Sequence, residues 1–227
     1  MSFRLFWETI GTTFELISAN NKCRRGGGSF YCYSQKIHLF LTSNYNRMRL
    51  LSKFILKITG WKTYGDIPPE VTKAVFIIAP HTSNLDFFIG RMYCFMRRIP
   101  IKVMIKKESF AGPLGGLLKK AGGVPIDRSK STSLVDQIVQ MFNENDPFFF
   151  AITPEGTRKK SEKWKSGFYH IAVKANVPIL MSCIDYGKKE AGIGRVFYPT
   201  GDFKKDFKEI EDFYRGRQGR HPEKFNL

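Results

Sequence analysis

From Met48 onward the chain alternates between short, nearly unbroken apolar runs and longer stretches whose apolar positions recur with helical spacing. The runs Ala74–Pro80, Ile101–Ile105, Gly123–Ile126, Phe148–Thr153, Val177–Ile184 and Arg195–Tyr198 predict strands. Between them, Leu85–Arg97, Phe110–Ala121, Leu134–Asn145 and Gly167–Asn176 predict helices, with a charged helix near Asp206–Gly216. Strands that alternate with helices imply crossover units, and so an α/β fold with a mostly parallel central sheet flanked by helices on both faces. Ahead of the first strand, Leu50, Leu51, Phe54, Ile55 and Ile58 form a stripe with Arg49, Lys53 and Lys57 off it. That stripe predicts a short N-terminal amphipathic helix, closed by Gly60.

Residues 1–47 lack this order. They hold Arg24-Arg-Gly-Gly-Gly28 and two of the four cysteines, with no sustained periodicity. The division expected is an atypical extension over 1–47 and a single domain over 48–227. The extension reads either as a mis-called start ahead of Met48 or as a poorly ordered arm.

The composition narrows the class. Apolar residues make up 42% of 227, enough for a full core. Lys and Arg number 37 against 20 Asp and Glu, a net +17, which favours an anionic partner: nucleic acid, anionic lipid or a phosphorylated substrate. The cysteines Cys23, Cys32, Cys94 and Cys183 are scattered, and no residues have metal-ligand spacing, so neither a disulfide framework nor a metal site is expected. No apolar stretch approaches the roughly 18 residues of a membrane span, and no secretory signal is evident.

Three strand ends carry the candidate chemistry. His81-Thr-Ser-Asn-Leu-Asp86 follows the first run directly. An imidazole accepts protons near neutral pH, and a carboxylate on its other nitrogen fixes the tautomer. In a continuous helix, residues five apart point about 140° away from each other. His81 and Asp86 meet only if His81 lies in the turn and Asp86 in the first helical turn, with Ser83 or Asn84 as N-cap. The plainer reading is a surface histidine and an aspartate that stabilises a helix N-terminus. Thr153-Pro-Glu-Gly-Thr-Arg158 follows the run at Phe148. Gly156 lets backbone N–H groups approach an anion, Thr157 adds a hydroxyl and Arg158 a fork for phosphate oxygens. Glu155 fits such a site only if it pairs with Arg158 or orients a donor, and a tight turn with an exposed ion pair is the alternative. In Gly122-Gly-Val-Pro-Ile-Asp-Arg128, Arg128 is a second candidate phosphate contact and Asp127 its support. Trp164, set among Lys159, Lys160, Lys163 and Lys165, suggests an anchor at a lipid interface.

Together with Val177-Pro-Ile179, these stretches stand in the order of the four sequence blocks of the glycerolipid acyltransferase family, which the chain resembles over roughly residues 50 to 200. Lys165-Ser-Gly-Phe168 is similar to the family as well. Pro125 and Thr153 depart from the commoner residues of the second and third blocks.

The resemblance implies transfer of a fatty acyl group from acyl-CoA or acyl carrier protein, as co-substrate, to the hydroxyl of a lysophospholipid, 1-acylglycerol-3-phosphate first among them. It makes His81 the general base and Asp86 its orienting acid. Glu155, Gly156, Thr157, Arg158 and Arg128 become the acceptor-binding set, and no metal or further cofactor is implied. It places the protein peripherally on the cytoplasmic face of an anionic membrane, held by the helix at Met48–Thr59 and the basic face. Phe-rich strands and the helix segment Phe87–Met96 are candidates to line the acyl chain. The competing readings are acylation of another lyso-lipid, such as an acylated amino acid lipid, and a non-enzymatic basic protein that binds membrane or nucleic acid. No recognised nucleic-acid motif supports the latter.

Overall fold

The computed structural model describes residues 46–111, 115–116, 122–126 and 133–227. Apart from Asn46 and Arg47, the extension lies outside the described residues, as do Asp127, Arg128 and most of the helix expected at Phe110–Ala121. A helix α1 occupies 46–58. It is followed by β1 Lys62–Tyr64, β2 Lys73–Ala79, α2 Leu85–Arg97, β3 Ile101–Lys106, β4 Gly123–Ile126, α3 Leu134–Glu144, β5 Phe148–Ile152, α4 Gly167–Ala175, β6 Ile179–Asp185, β7 Glu190–Phe197 and α5 Phe203–Tyr214.

The seven strands form one sheet in the order β1-β7-β6-β2-β5-β3-β4. β6, β2, β5, β3 and β4 run parallel, and β7 returns antiparallel to β6 with β1 parallel beside it. The carboxyl ends of the five parallel strands therefore share one edge of the sheet.

The central strands are predominantly apolar because both faces are covered. Successive side chains of β2 point to opposite faces. Val75, Ile77 and Ala79 join a core with Ile138 and Phe142 of α3, Phe168 and Ile171 of α4, and Ile210 and Tyr214 of α5. Ala74 and Phe76 face the other way, toward Tyr93 and Cys94 of α2. On that side α1 and α2 also meet the sheet through Leu56, Ile89, Ile184 and Ala191. Helices thus cover both faces, as the alternation predicts. The wholly buried Tyr214 hydroxyl donates to the carbonyls of Ile77 and Ser182 at 3.1 and 3.0 Å, which pins α5 beneath the two middle strands.

In α1 the buried face is Met48, Ser52 and Leu56, and Leu50, Phe54 and Ile58 of the expected stripe are exposed at 67, 60 and 64%. Two strands differ from the sequence expectation. β7 begins at Glu190 rather than Arg195, and β1 was not foreseen. The cause is shared. Gly192 reads as a turn signal, yet it is glycine because a Cβ there would lie 2.0 Å from the Tyr64 carbonyl oxygen of β1.

Candidate active site

Three adjacent strands, β6, β2 and β5, bring their carboxyl ends together, the usual place for a site in such a sheet. The chain leaves β2 through a cis Ala79–Pro80 bond; His81 sits in the turn that follows, and Asn84 is the N-cap of α2. Asp86, in the first helical turn, folds back. Its Oδ2 accepts from the N–H groups of Thr82 and Ser83 at 2.8 and 2.9 Å and lies 3.2 Å from His81 Nδ1. Residues that a continuous helix would turn apart are joined here because 81–84 is not helical. Burial pushes the Asp86 carboxyl up, but bonds from His81, the Ser83 N–H and the Tyr186 hydroxyl outweigh it and hold the group below its ordinary value. An ionised Asp86 requires a donor at Nδ1, so the acceptor nitrogen of neutral His81 is Nε2. The His81 side chain remains 21% exposed, while that of Asp86 is 1% exposed.

Glu155, three residues past β5, is 3% exposed, and its Oε1 accepts from the His81 N–H at 2.9 Å. The carboxyl therefore neither pairs with Arg158 nor faces outward. It ties the β5 turn to the turn that carries His81. Its Oε2 is buried with no protein partner, and burial pushes the group up to about 7, so near neutrality much of it carries no charge to oppose an anion. Arg158 is exposed, and its Nη1 donates to Asn84 Oδ1, a second tie between the same turns. Gly156 adopts φ +65°, and the Lys165 side chain lies so close that a Cβ would meet it at 2.9 Å. Thr157 Oγ1 accepts from Lys159 N–H at 3.2 Å. His81, Asp86, Glu155, Gly156, Thr157 and Arg158 thus share one rim of the sheet. β4, which leads to Arg128, is separated from β5 by β3.

Sequence reading missed Tyr186, the first residue after β6, whose hydroxyl donates to Asp86 Oδ1 at 2.7 Å. Its only signal was a tyrosine immediately past a strand end. It also missed the C-terminal segment. His221 N–H donates to Thr82 Oγ1 at 3.1 Å, and Gly219 packs so tightly on the turn that a Cβ would lie 2.7 Å from the same oxygen. Trp164 is no interfacial anchor. It is 7% exposed and packs edge-on against Tyr214 at 5.2 Å, although Lys163 and Lys165 on either side are exposed. The phenylalanines of β5 are buried in the core rather than lining a groove, which leaves half-buried Phe87 and Phe88 of α2 as apolar neighbours of the dyad. Cys94 and Cys183 are buried free thiols, and among the described residues no group of His, Cys, Asp and Glu is arranged to hold a metal.

No curated protein matches the chain. The sequence model of the acyltransferase family matches residues 62–185, more than half of the 227 residues, a span that contains His81, Asp86, Glu155 and Arg158. The chain belongs to the acyltransferase family.

Proposed function

We infer that the protein moves a fatty acyl group from an acyl thioester, acyl-CoA or acyl carrier protein, to the hydroxyl of a lysophospholipid, with 1-acylglycerol-3-phosphate the leading acceptor. The observation that carries this reading is the His81 Nδ1 to Asp86 Oδ2 contact of 3.2 Å on a rim that also presents Arg158. His81 Nε2 takes the proton of the acceptor hydroxyl as its oxygen attacks the thioester carbonyl. The new C–O bond forms, the C–S bond breaks, and the departing thiolate takes the proton from Nε2. Asp86 stabilises the imidazolium between the two transfers. No acyl-enzyme is required. Arg158, the Gly156–Thr157 turn and Arg128 hold the acceptor's phosphate, and Glu155 keeps the two turns in register. One acyltransferase domain over 48–227 carries all of these groups.

The exposed face of α1 supports attachment to an anionic bilayer. Leu50, Phe54 and Ile58 form an exposed apolar arc, and each such side chain contributes about 1.5–3 kcal/mol when it leaves water. Arg49, Lys53 and Lys57 flank that arc, and a cavity of about 370 Å³ beside it is lined by Lys53, Lys57, Lys62 and Trp61. These cations suit the phosphates of an interface, where each is worth roughly 1 kcal/mol. Among the described residues no helix is long and apolar enough to cross a membrane.

The test is purified protein with labelled acyl-CoA or acyl carrier protein and a panel of lyso-acceptors, products identified by mass. Preference for phosphate-bearing acceptors supports the reading. Equal transfer to acceptors without a phosphate, such as an acylated amino acid lipid, contradicts the roles given to Arg158 and Arg128.

A further inference from the structure

Tyr186 stands outside all four sequence blocks, and the family match ends one residue before it, at Asp185. Yet it is in direct contact with the dyad. Asp86 has two carboxylate oxygens with separate tasks. Oδ2 serves His81 and the N–H groups of Thr82 and Ser83, whereas Oδ1 accepts from the Tyr186 hydroxyl at 2.7 Å. An aspartate's terminal torsion is soft, so the plane of its carboxylate is held only as well as its hydrogen bonds hold it. A donor fixed on Oδ1 restrains that plane from the far side.

The donor is itself held from three directions. It follows directly on the last residue of β6, the strand beside β2, so the sheet sets its distance from His81. Its N–H donates to the Gln218 carbonyl at 2.8 Å, in the segment that also covers the β2 turn. Its ring meets Trp61 edge-on, with centroids 5.0 Å apart and planes at 87°. Trp61 in turn is anchored by its N–H on the Leu56 carbonyl of α1 at 2.7 Å. Burial, then the bond to Asp86, push the phenol further above its ordinary value, so it remains a donor wherever Asp86 is ionised.

We propose that Tyr186 is a positioning residue of the acyl-transfer site: its hydroxyl, braced by Trp61, fixes the Asp86 carboxylate so that one oxygen stays on His81 Nδ1. Tyr186 acts through Asp86, and the proposal rests on the transfer reading given above.

The experiment compares wild type, Tyr186→Phe, Asp86→Asn and the double variant. Loss of one hydrogen bond to a charged group should lower kcat of Tyr186→Phe by roughly tenfold or more, with KM for donor and acceptor within about twofold and the melting temperature retained. In the Asp86→Asn background the same substitution should change kcat by less than about twofold, because the carboxylate it orients is gone. A second readout needs no turnover. The nitrogen NMR spectrum of neutral His81, assigned by its loss in His81→Asn, should show one tautomer with the proton on Nδ1 in wild type and a mixture in Tyr186→Phe. If no acceptor is ever acylated, the transfer reading fails, and the spectrum still decides the role of Tyr186. The proposal is overturned by wild-type kcat with an unchanged His81 spectrum, by equal loss in both Asp86 backgrounds, or by a raised KM with a lowered melting temperature.

Discussion

At the scale of single residues the account turns on two carboxyls with opposite environments. Asp86 is buried but heavily hydrogen-bonded and stays ionised, whereas Glu155 is buried with one oxygen unpartnered and is pushed up to about 7. Glu155 binds its proton more tightly in the folded chain than at its ordinary 4.5, so folding stability falls as pH rises through that interval. Glu155→Gln removes this loss while keeping an oxygen for the His81 N–H. Melting temperatures of the two proteins at pH 5 and pH 8 should show the variant gaining on wild type by a few degrees, on the order expected for about 1 kcal/mol or more. A difference that does not change with pH contradicts the buried, partly protonated carboxyl. The contact between His81 and Asp86 was legible as a condition, since residues five apart meet only across a turn. The role of Glu155 was not legible. Sequence shows a carboxylate beside an arginine, and only the pairing of β2 with β5 reveals that it faces the His81 backbone while Arg158 turns to Asn84.

At the scale of elements, the strands were readable where burial on both faces makes them continuously apolar, as in β2, β5 and β6. β1 and the first half of β7 were not, because three residues carry no period and Gly192 serves a close approach rather than a turn. Gly192→Ala should lower the melting temperature by roughly 5 °C through overpacking against β1, and an unchanged melting curve would mean that β1 does not dock as described. The stripe of α1 was visible in the sequence, but its division between protein and solvent was not, since five apolar residues in one arc do not say which of them face the protein. If the exposed part lies on lipid, replacing Leu50, Phe54 and Ile58 by Ser should weaken binding to anionic vesicles at least about tenfold, given the transfer free energy of three such side chains. Binding equal to wild type in a flotation assay contradicts a docking role for this helix. The same substitutions should leave the melting temperature near its original value, because none of the three side chains is in the core.

At the scale of the whole molecule, a net charge of +17 and one sheet edge with a His–Asp pair belong to the same picture. On the proposed reading, the charge draws the protein toward an anionic surface and the edge presents the reacting group there. Association with anionic vesicles should therefore weaken as salt rises from 50 to 500 mM, and insensitivity to salt would sever the charge from the surface. The proposed transfer depends above all on the imidazole of His81. Its most direct test is the rate of acyl transfer from labelled acyl-CoA or acyl carrier protein to 1-acylglycerol-3-phosphate by wild type and His81→Ala, with the melting temperature of each recorded. Esterified product and free thiol are expected from wild type, and at least about a hundredfold slower transfer from a His81→Ala variant that melts normally. Transfer at the wild-type rate by that variant would contradict the role given to His81.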